Sequence, residues 1–414
     1  MALPRFALLT ISLALLAPHA KAENWPRFRG PNGEGVSASK DVPVEWNLRD
    51  GFLWKVALPG IGHSSPVIWG NRLFLQSATP TERMLICLSI TNGKELWSHK
   101  EAGTKAYHHD KNSWASSTPA TDGKRVYAIF WDGNAIALHA FDLDGKPLWK
   151  RDLGGFESQH GPGMSPIVFE DRVIVINDQD VSTALLAFDA RDGKPLWKAP
   201  RGHYRACYST PFLLERPTIA PELVVGSTMG LTGYDPRTGK ELWKWDWKFV
   251  GMPLRTVASP IYSEGYVVLN SGDGNGSRCT VAVHLEGAGK ATKATMAWQI
   301  KKDFPYVPCL LTHGDYLFYV SDKGIAACHE LKTGKEIWQE RLDSGATASP
   351  VLIDGKIYAI SDAGEVYVFE AAPTYKLLGR SPIAERVSAT PAVADNRLYV
   401  RGDKHLFCIG KAVK

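Results

Sequence analysis

One short unit recurs along the chain and constrains the fold more than any other feature. It is a small residue, then Pro, an apolar stretch, a tight turn and a second apolar stretch. The pairs are Ser65-Pro66, Thr118-Pro119, Ser165-Pro166, Thr210-Pro211, Ser259-Pro260, Val307-Pro308, Ser349-Pro350 and Thr390-Pro391. Successive prolines are 53, 47, 45, 49, 48, 42 and 41 residues apart. A repeat of this size, about 40–50 residues, is that of a propeller blade. The turns inside the unit, such as Gly70-Asn71, Asp122-Gly123, Glu264-Gly265, Asp354-Gly355 and Asp395-Asn396, carry residues that tolerate the positive φ of hairpins. Alternation on either side, as in Lys356-Ile357-Tyr358-Ala359-Ile360, reads as strand. The proline opens the first strand, where a missing N–H is tolerated.

A second unit follows each first one: an apolar strand, a Gly-Lys turn, then Trp. Trp97, Trp149, Trp197, Trp243 and Trp338 close such units, and Trp54 and Trp298 hold the same place without the turn. The last copy, at Leu377-Leu378-Gly379, lacks the Trp. These seven Trp, half of the 14 in the chain, are expected to pack between neighbouring units rather than to stack on a cofactor. Each repeat then supplies four strands, A to D. Trp54 lies on a D-type strand before any A strand, and the chain ends on a C-type strand at Leu406-Phe407-Cys408. The predicted fold is all-β: an eight-bladed β-propeller of four-stranded antiparallel blades, closed by an N-terminal strand that completes the last blade. The 38 Gly and 26 Pro suit such a turn-rich fold.

Residues 1–22 read as a secretory signal peptide: Arg5, an apolar run from Phe6 to Ala17, and a small-x-small site at Ala20-Lys21-Ala22. Residues 23–50 form an N-terminal arm and 51–414 a single propeller, exported to the periplasm or the exterior. Without Arg5 and Lys21, 46 basic residues face 43 acidic ones, which gives no global argument for nucleic acid or a membrane surface. No later stretch is long and apolar enough to span a bilayer, and a monomer is expected. The six cysteines allow 15 disulfide pairings. Cys87, Cys328 and Cys408, however, sit on repeat positions suited to small core residues.

The stretch Asp235 to Trp243, Asp-x-x-Thr-Gly-Lys-x-Leu-Trp, resembles the tryptophan-docking repeat of pyrroloquinoline quinone (PQQ) propellers. The lead-in Trp25-Pro26-Arg27-Phe28-Arg29-Gly30-Pro31-Asn32-Gly33-Glu34-Gly35 and the closing Leu406-Phe407-Cys408-Ile409-Gly410 resemble the ends of exported PQQ-like repeat proteins. The resemblance covers essentially the whole mature chain. It implies the fold of the quinoprotein alcohol dehydrogenase-like superfamily, which also holds the propeller of the β-barrel assembly lipoprotein. For activity it implies less. A quinoprotein dehydrogenase of that family carries an adjacent-Cys disulfide, a carboxylate-amide calcium site and a catalytic Asp on insertions between blades. Here no two Cys are adjacent and the repeats are compact.

In an A-B-C-D blade the D-to-A and B-to-C links share one face, and residues just before each Ser/Thr-Pro ring the channel. Those links hold His63, then His108, His109 and Asp110, then His160, then His203, Tyr204 and Arg205, then Arg255. This His- and Arg-rich funnel suits an anionic or multiply hydrogen-bonded ligand, or a protein partner. Adjacent histidines in an extended link point to opposite sides, so only one of His108 and His109 would join His160 on a metal, and no metal site is assigned. B-to-C links carry acidic turns: Asp132, Asp178 and Asp180, Asp273, Asp322, Asp362 and Asp403. Oxygen ligands for calcium are dense at Ser271 to Ser277, but turn chemistry accounts for them. Trp114 and Trp131 are read as core fillers, and Trp243-Lys244-Trp245-Asp246-Trp247 as an outer-strand aromatic patch. The expected function is a non-catalytic binding or scaffold protein with no assigned catalytic residue and no established cofactor. The alternatives are a PQQ- or metal-dependent oxidoreductase, and an outer-membrane protein assembly factor, against which the lack of a lipid-anchor Cys counts.

Overall fold

Each apolar pair following the repeated proline forms an A-B hairpin in a computed structural model, which describes residues 23–202, 205–249 and 252–411. The segment read as a signal peptide lies outside the described residues. The strands assemble into eight sheets. Blade one is Val67–Trp69, Arg72–Ala78, Glu82–Ser89 and Glu95–Ala102. Blades two to seven follow at 120–155, 167–200, 212–246, 261–300, 311–341 and 351–382. Blade eight takes Ala392–Ala394, Arg397–Arg401 and His405–Ile409 from the end of the chain and Phe52–Ala57 from its beginning. The only helix among the described residues is one 3₁₀ turn at Gly289–Ala291, and no helix there could cross a membrane.

Apolar side chains are sandwiched between blades. Val67, Phe74, Leu85 and Cys87 of blade one, for example, pack against Val126, Ala128, Phe130 and Phe141 of blade two. Every C-D pairing has its register shift beside the Trp position, so Leu53, Leu96, Leu148 and their counterparts are the extra, bulged residues. Five of the seven Trp reach the next blade through the indole N–H: Trp54 donates to the carbonyl of Ile90, Trp97 to Leu143, Trp149 to Ala190, Trp298 to Leu331 and Trp338 to Ala372. Trp197 packs on Gly239 of the next blade. Trp243 departs from this pattern. The C-D link of blade five is a longer loop with the 3₁₀ turn Gly289–Ala291, and the indole bonds instead, at 2.5 Å, to Glu222 of its own blade, whose other oxygen accepts the Gly289 N–H. Where the Trp is missing, Gly379 leaves room for the backbone of Val44, 2.2 Å from where a Cβ would stand. Trp46 of the arm then donates to Pro382.

A belt of hydrogen bonds runs round most of the channel at the start of the A strands. The N–H of Ser65 donates to Thr118 Oγ1, that of Thr118 to Ser165 Oγ and that of Thr210 to Ser259 Oγ, each at 3.0 Å. Ser259 donates to Cys309 Sγ, Cys309 to Ser349 Oγ and Ser349 to Thr390 Oγ1. This corrects the sixth repeat. Its belt residue is Cys309, not Val307, and the A strand starts two residues later, at Leu311, as in every other blade. The proline has moved to the preceding residue. All six cysteines are buried and unpaired, so they do not form a disulfide framework. Burial pushes the Cys207 thiol up to about 11, which leaves it unreactive near neutral pH.

The arm closes the A-B end of the channel. Trp25 bridges to Ile68 of blade one, and Thr121 of blade two donates to the carbonyl of Pro26. Arg27 donates to Pro211 of blade four, whose Leu213 exchanges two bonds with Asn32. Arg29 donates to Leu310 of blade six at 2.7 Å and Pro350 of blade seven at 3.1 Å. Val36–Ser37 then adds a fifth, parallel strand inside blade seven. Residues read as a lead-in are thus a plug that ties five blades together.

Candidate functional site

Plugging one end turns the channel into a blind cup of about 580 Å³. Phe28 lies at its base, between Arg27 and Arg29, and the belt residues Ser65, Thr118, Ser165, Thr210, Cys309, Ser349 and Thr390 form its wall. The D-A and B-C links make the rim. This placement follows from the repeat: a strand that starts two residues past the belt must carry the preceding link above it.

Of the funnel residues expected from sequence, three line the cup: His63, His109 and His160. The rings of His109 and His160 are 5.0 Å apart. Asn112 donates to the carbonyls of His160 and Pro162, locking two successive links together. Burial, with Arg401 nearby, pushes the His63 imidazole down to about 4. Burial, with Arg255, His109 and Arg205 around it, does the same to His160. Both are therefore neutral at pH 7. Four expected residues do not line the cup. His108 turns its ring onto Trp114 at 5.3 Å, and Asp110 is exposed. Arg205 pairs with Asp273 at 2.6 Å. Arg255 is only 3% exposed and is held by Asp180 and the carbonyl of Ala206. His203 and Tyr204 lie outside the described residues.

The rim also holds Lys111 and Asp322, which lie in links read from the sequence, and Tyr208, Arg278 and Tyr306, which that reading did not single out. Lys111 lies 3.4 Å and Arg278 3.9 Å from Asp322, whose carboxylate also accepts the N–H groups of Tyr306 and Val307. Arg278 follows the acidic turn at Asp273, so applying the shared-face argument to the B-C links would have found it. Each rim cation thus faces a carboxylate, and the cationic funnel becomes a nearly neutral surface of hydrogen-bonding groups. Ser65, Ser388 and Thr347 each keep a hydroxyl without a protein partner in the wall, capacity that a polar ligand would satisfy.

PQQ carries three carboxylates. In this cup they would meet two cations already matched by Asp322 and two neutral imidazoles, so the groups present do not fit that cofactor. The calcium candidate is also accounted for within its own turn. Asp273 accepts the Gly274 N–H and pairs with Arg205, and Asn275 accepts the Ser277 N–H. Trp114 donates to Ala106, and Trp131 is buried. In the aromatic patch Trp243 and Trp247 are buried, with Trp247 stacked on Phe249 at 5.0 Å.

Sequence and structure comparisons agree with this architecture. The family model described as outer membrane protein assembly factor BamB matches residues 36–142, 137–290 and 308–401. The chain therefore belongs to the BamB family of PQQ-like propellers. A curated relative, the outer membrane protein assembly factor BamB of Shewanella oneidensis, is 27% identical over 203 residues, which are 45% of this chain. The chain spans about half the length of that relative, 48%. Among solved structures, BamB from Moraxella catarrhalis aligns with a TM-score of 0.63 and 15% identity, over 88% of this chain and 98% of that one. The quinohemoprotein alcohol dehydrogenase ADHIIG from Pseudomonas putida HK5 aligns with 0.62 and 13% identity, over 94% and 81%. At such identities both show the fold alone.

Proposed function

We propose that this protein is an exported, non-catalytic binding propeller that serves outer-membrane protein assembly, holding a polar, extended segment of its partner at the open rim of the cup. The observation that carries the reading is the rim itself. His63, His109, His160, Lys111, Arg278 and Asp322 gather there with their charges matched, over a wall of hydroxyls. Such a surface offers donors and acceptors in both senses, which suits main-chain amides better than a compact anion. The carboxylates nearest the cup, Asp273 and Asp322, hold loops and cations, so neither is poised as a general base. Family membership supports the assembly role.

The test is fluorescence anisotropy with a labelled peptide copied from one strand of an outer-membrane β-barrel, together with dye-linked oxidation assays in the presence of PQQ and calcium. Saturable peptide binding that weakens at least tenfold in His160→Ala/Arg278→Ala, with unchanged circular dichroism, is expected. Saturable PQQ binding with turnover would replace this reading with a quinoprotein oxidoreductase.

A further inference from the structure

Blades one and two hold a second cluster, far out from the cup. On the outer strand Glu95–Ala102, alternation turns Trp97, His99 and Glu101 to one face, toward blade two. His139, on strand C of blade two, faces them. His99 Nε2 lies 2.8 Å and His139 Nδ1 3.7 Å from the same oxygen, Glu101 Oε1. All three ligand atoms fall within 4.8 Å of one another. The walls are aromatic: Phe141 is 4.6 Å from the His99 ring and Phe130 is 4.8 Å from His139.

We propose that His99, Glu101 and His139 form an inter-blade site for a divalent transition cation of the zinc class.

Two imidazoles and one carboxylate are a donor set that zinc accepts with a fourth, solvent-filled position, whereas calcium and magnesium prefer oxygen alone. A strand pair at i and i+2 with a third ligand from the facing sheet lets the three groups converge without backbone movement. His139 is buried, and its ring packs between Phe130 and Phe141, which fixes the direction in which it faces Glu101. The repeat supplies an internal control. The two outer-strand positions hold Val56 and Leu58 at the preceding interface, and Arg151 and Leu153 at the following one. The position of His139, one residue before the partner of each Trp, holds Ile86 in blade one and Leu186 in blade three. At these three interfaces, ligating side chains enter both sides only between blades one and two. Lys150, whose Nζ is 3.3 Å from Glu101 Oε2, neutralises the carboxylate without metal. It is 57% exposed and free to turn to solvent when a cation enters.

The test is competitive titration of the full chain, stripped with chelator, with Zn²⁺ against a chromogenic chelator, and with Co²⁺ by visible absorption. One zinc per chain is expected, with cobalt d–d bands of low-symmetry, four- or five-coordinate character. His99→Gln, on a half-buried surface strand, should weaken zinc at least tenfold while keeping the circular dichroism of the parent. Lys150→Gln should tighten it several-fold, because it removes a competing cation. Zinc should raise the melting temperature of the parent but not of His99→Gln. No stoichiometric zinc in the parent, or stoichiometric zinc retained in His99→Gln, would overturn the proposal. Unchanged or weakened affinity in Lys150→Gln would overturn it too, since the cluster would then be an ion-pair network alone.

Discussion

The two ends of the channel handle buried and half-buried charge differently. At the closed end Arg27 and Arg29 are buried, and the hydrogen bonds they make run to carbonyls: Pro211 for one, and Gly33, Glu34, Leu310 and Pro350 for the other. Burial lowers Arg27 to about 10, so it stays charged at neutral pH. At the open end Lys111, Arg205 and Arg278 face Asp322 and Asp273. Carbonyls can neither titrate nor leave, whereas an ion pair at the rim of the cup can trade one partner for another. One end is built to stay shut and the other to exchange contacts.

That contrast can be broken at its strongest point first. Arg29→Met would leave several buried carbonyls unpaired, and unsatisfied groups of this kind cost about 1–3 kcal/mol each, so a loss of about 3–5 kcal/mol is expected. Urea denaturation measures it, and a loss below about 1 kcal/mol would remove the closed end as the anchor of the ring. Next is the belt that separates the two ends. Thr118→Val removes the acceptor of the Ser65 N–H, and a loss of about 1–2 kcal/mol is expected in the same measurement.

At the open end Asp322→Asn should cost about 1 kcal/mol, because the amide oxygen can replace only one of the two carboxylate oxygens that accept the Tyr306 and Val307 N–H groups. It should also strengthen binding of an anion such as pyrophosphate several-fold by calorimetry, since Lys111 and Arg278 lose their counter-charge. A further effect is on pH. His63 and His160 have folded values near 4, below the ordinary 6.5, so the unfolded chain binds more protons between those limits. Stability is then fully present above pH 6.5 and is lost as pH falls toward 4, to which buried His139 and His329 add. His63→Gln should flatten the fall in melting temperature over that window; an unchanged slope would show that His63 takes up its proton without cost.

The repeat made the ring legible because strand starts, hairpin turns and Trp positions obey local rules. Blade six was misplaced by two residues because a thiol, in Cys309, took the hydroxyl position and the proline shifted. The convergence of His63, His109 and His160 followed from the links in which they lie. Arg205 and Arg255 read as free cations because their partners, Asp273 and Asp180, come from turns of other blades, and no local pattern announces a pairing across the ring. The plug was hidden for the same reason. Arg27 and Arg29 look like solvent-facing residues until the cavity that receives them exists. His99 and His139 fell outside the link argument altogether, being strand residues on an interface that only assembly creates.

Blade eight gives the protein a fixed order of completion. Phe52–Ala57 is synthesised about 350 residues before its partner, His405–Ile409. Until the ribosome reaches those residues, an outer strand stands as an open edge at one side of the array and blade eight at the other lacks its cover. A chain cut short by even one strand cannot seal, however well its other seven blades fold. The seam therefore reports whether the ribosome has passed Ile409, and a stop before His405 should yield a sticky, protease-sensitive arc instead of a slightly smaller ring.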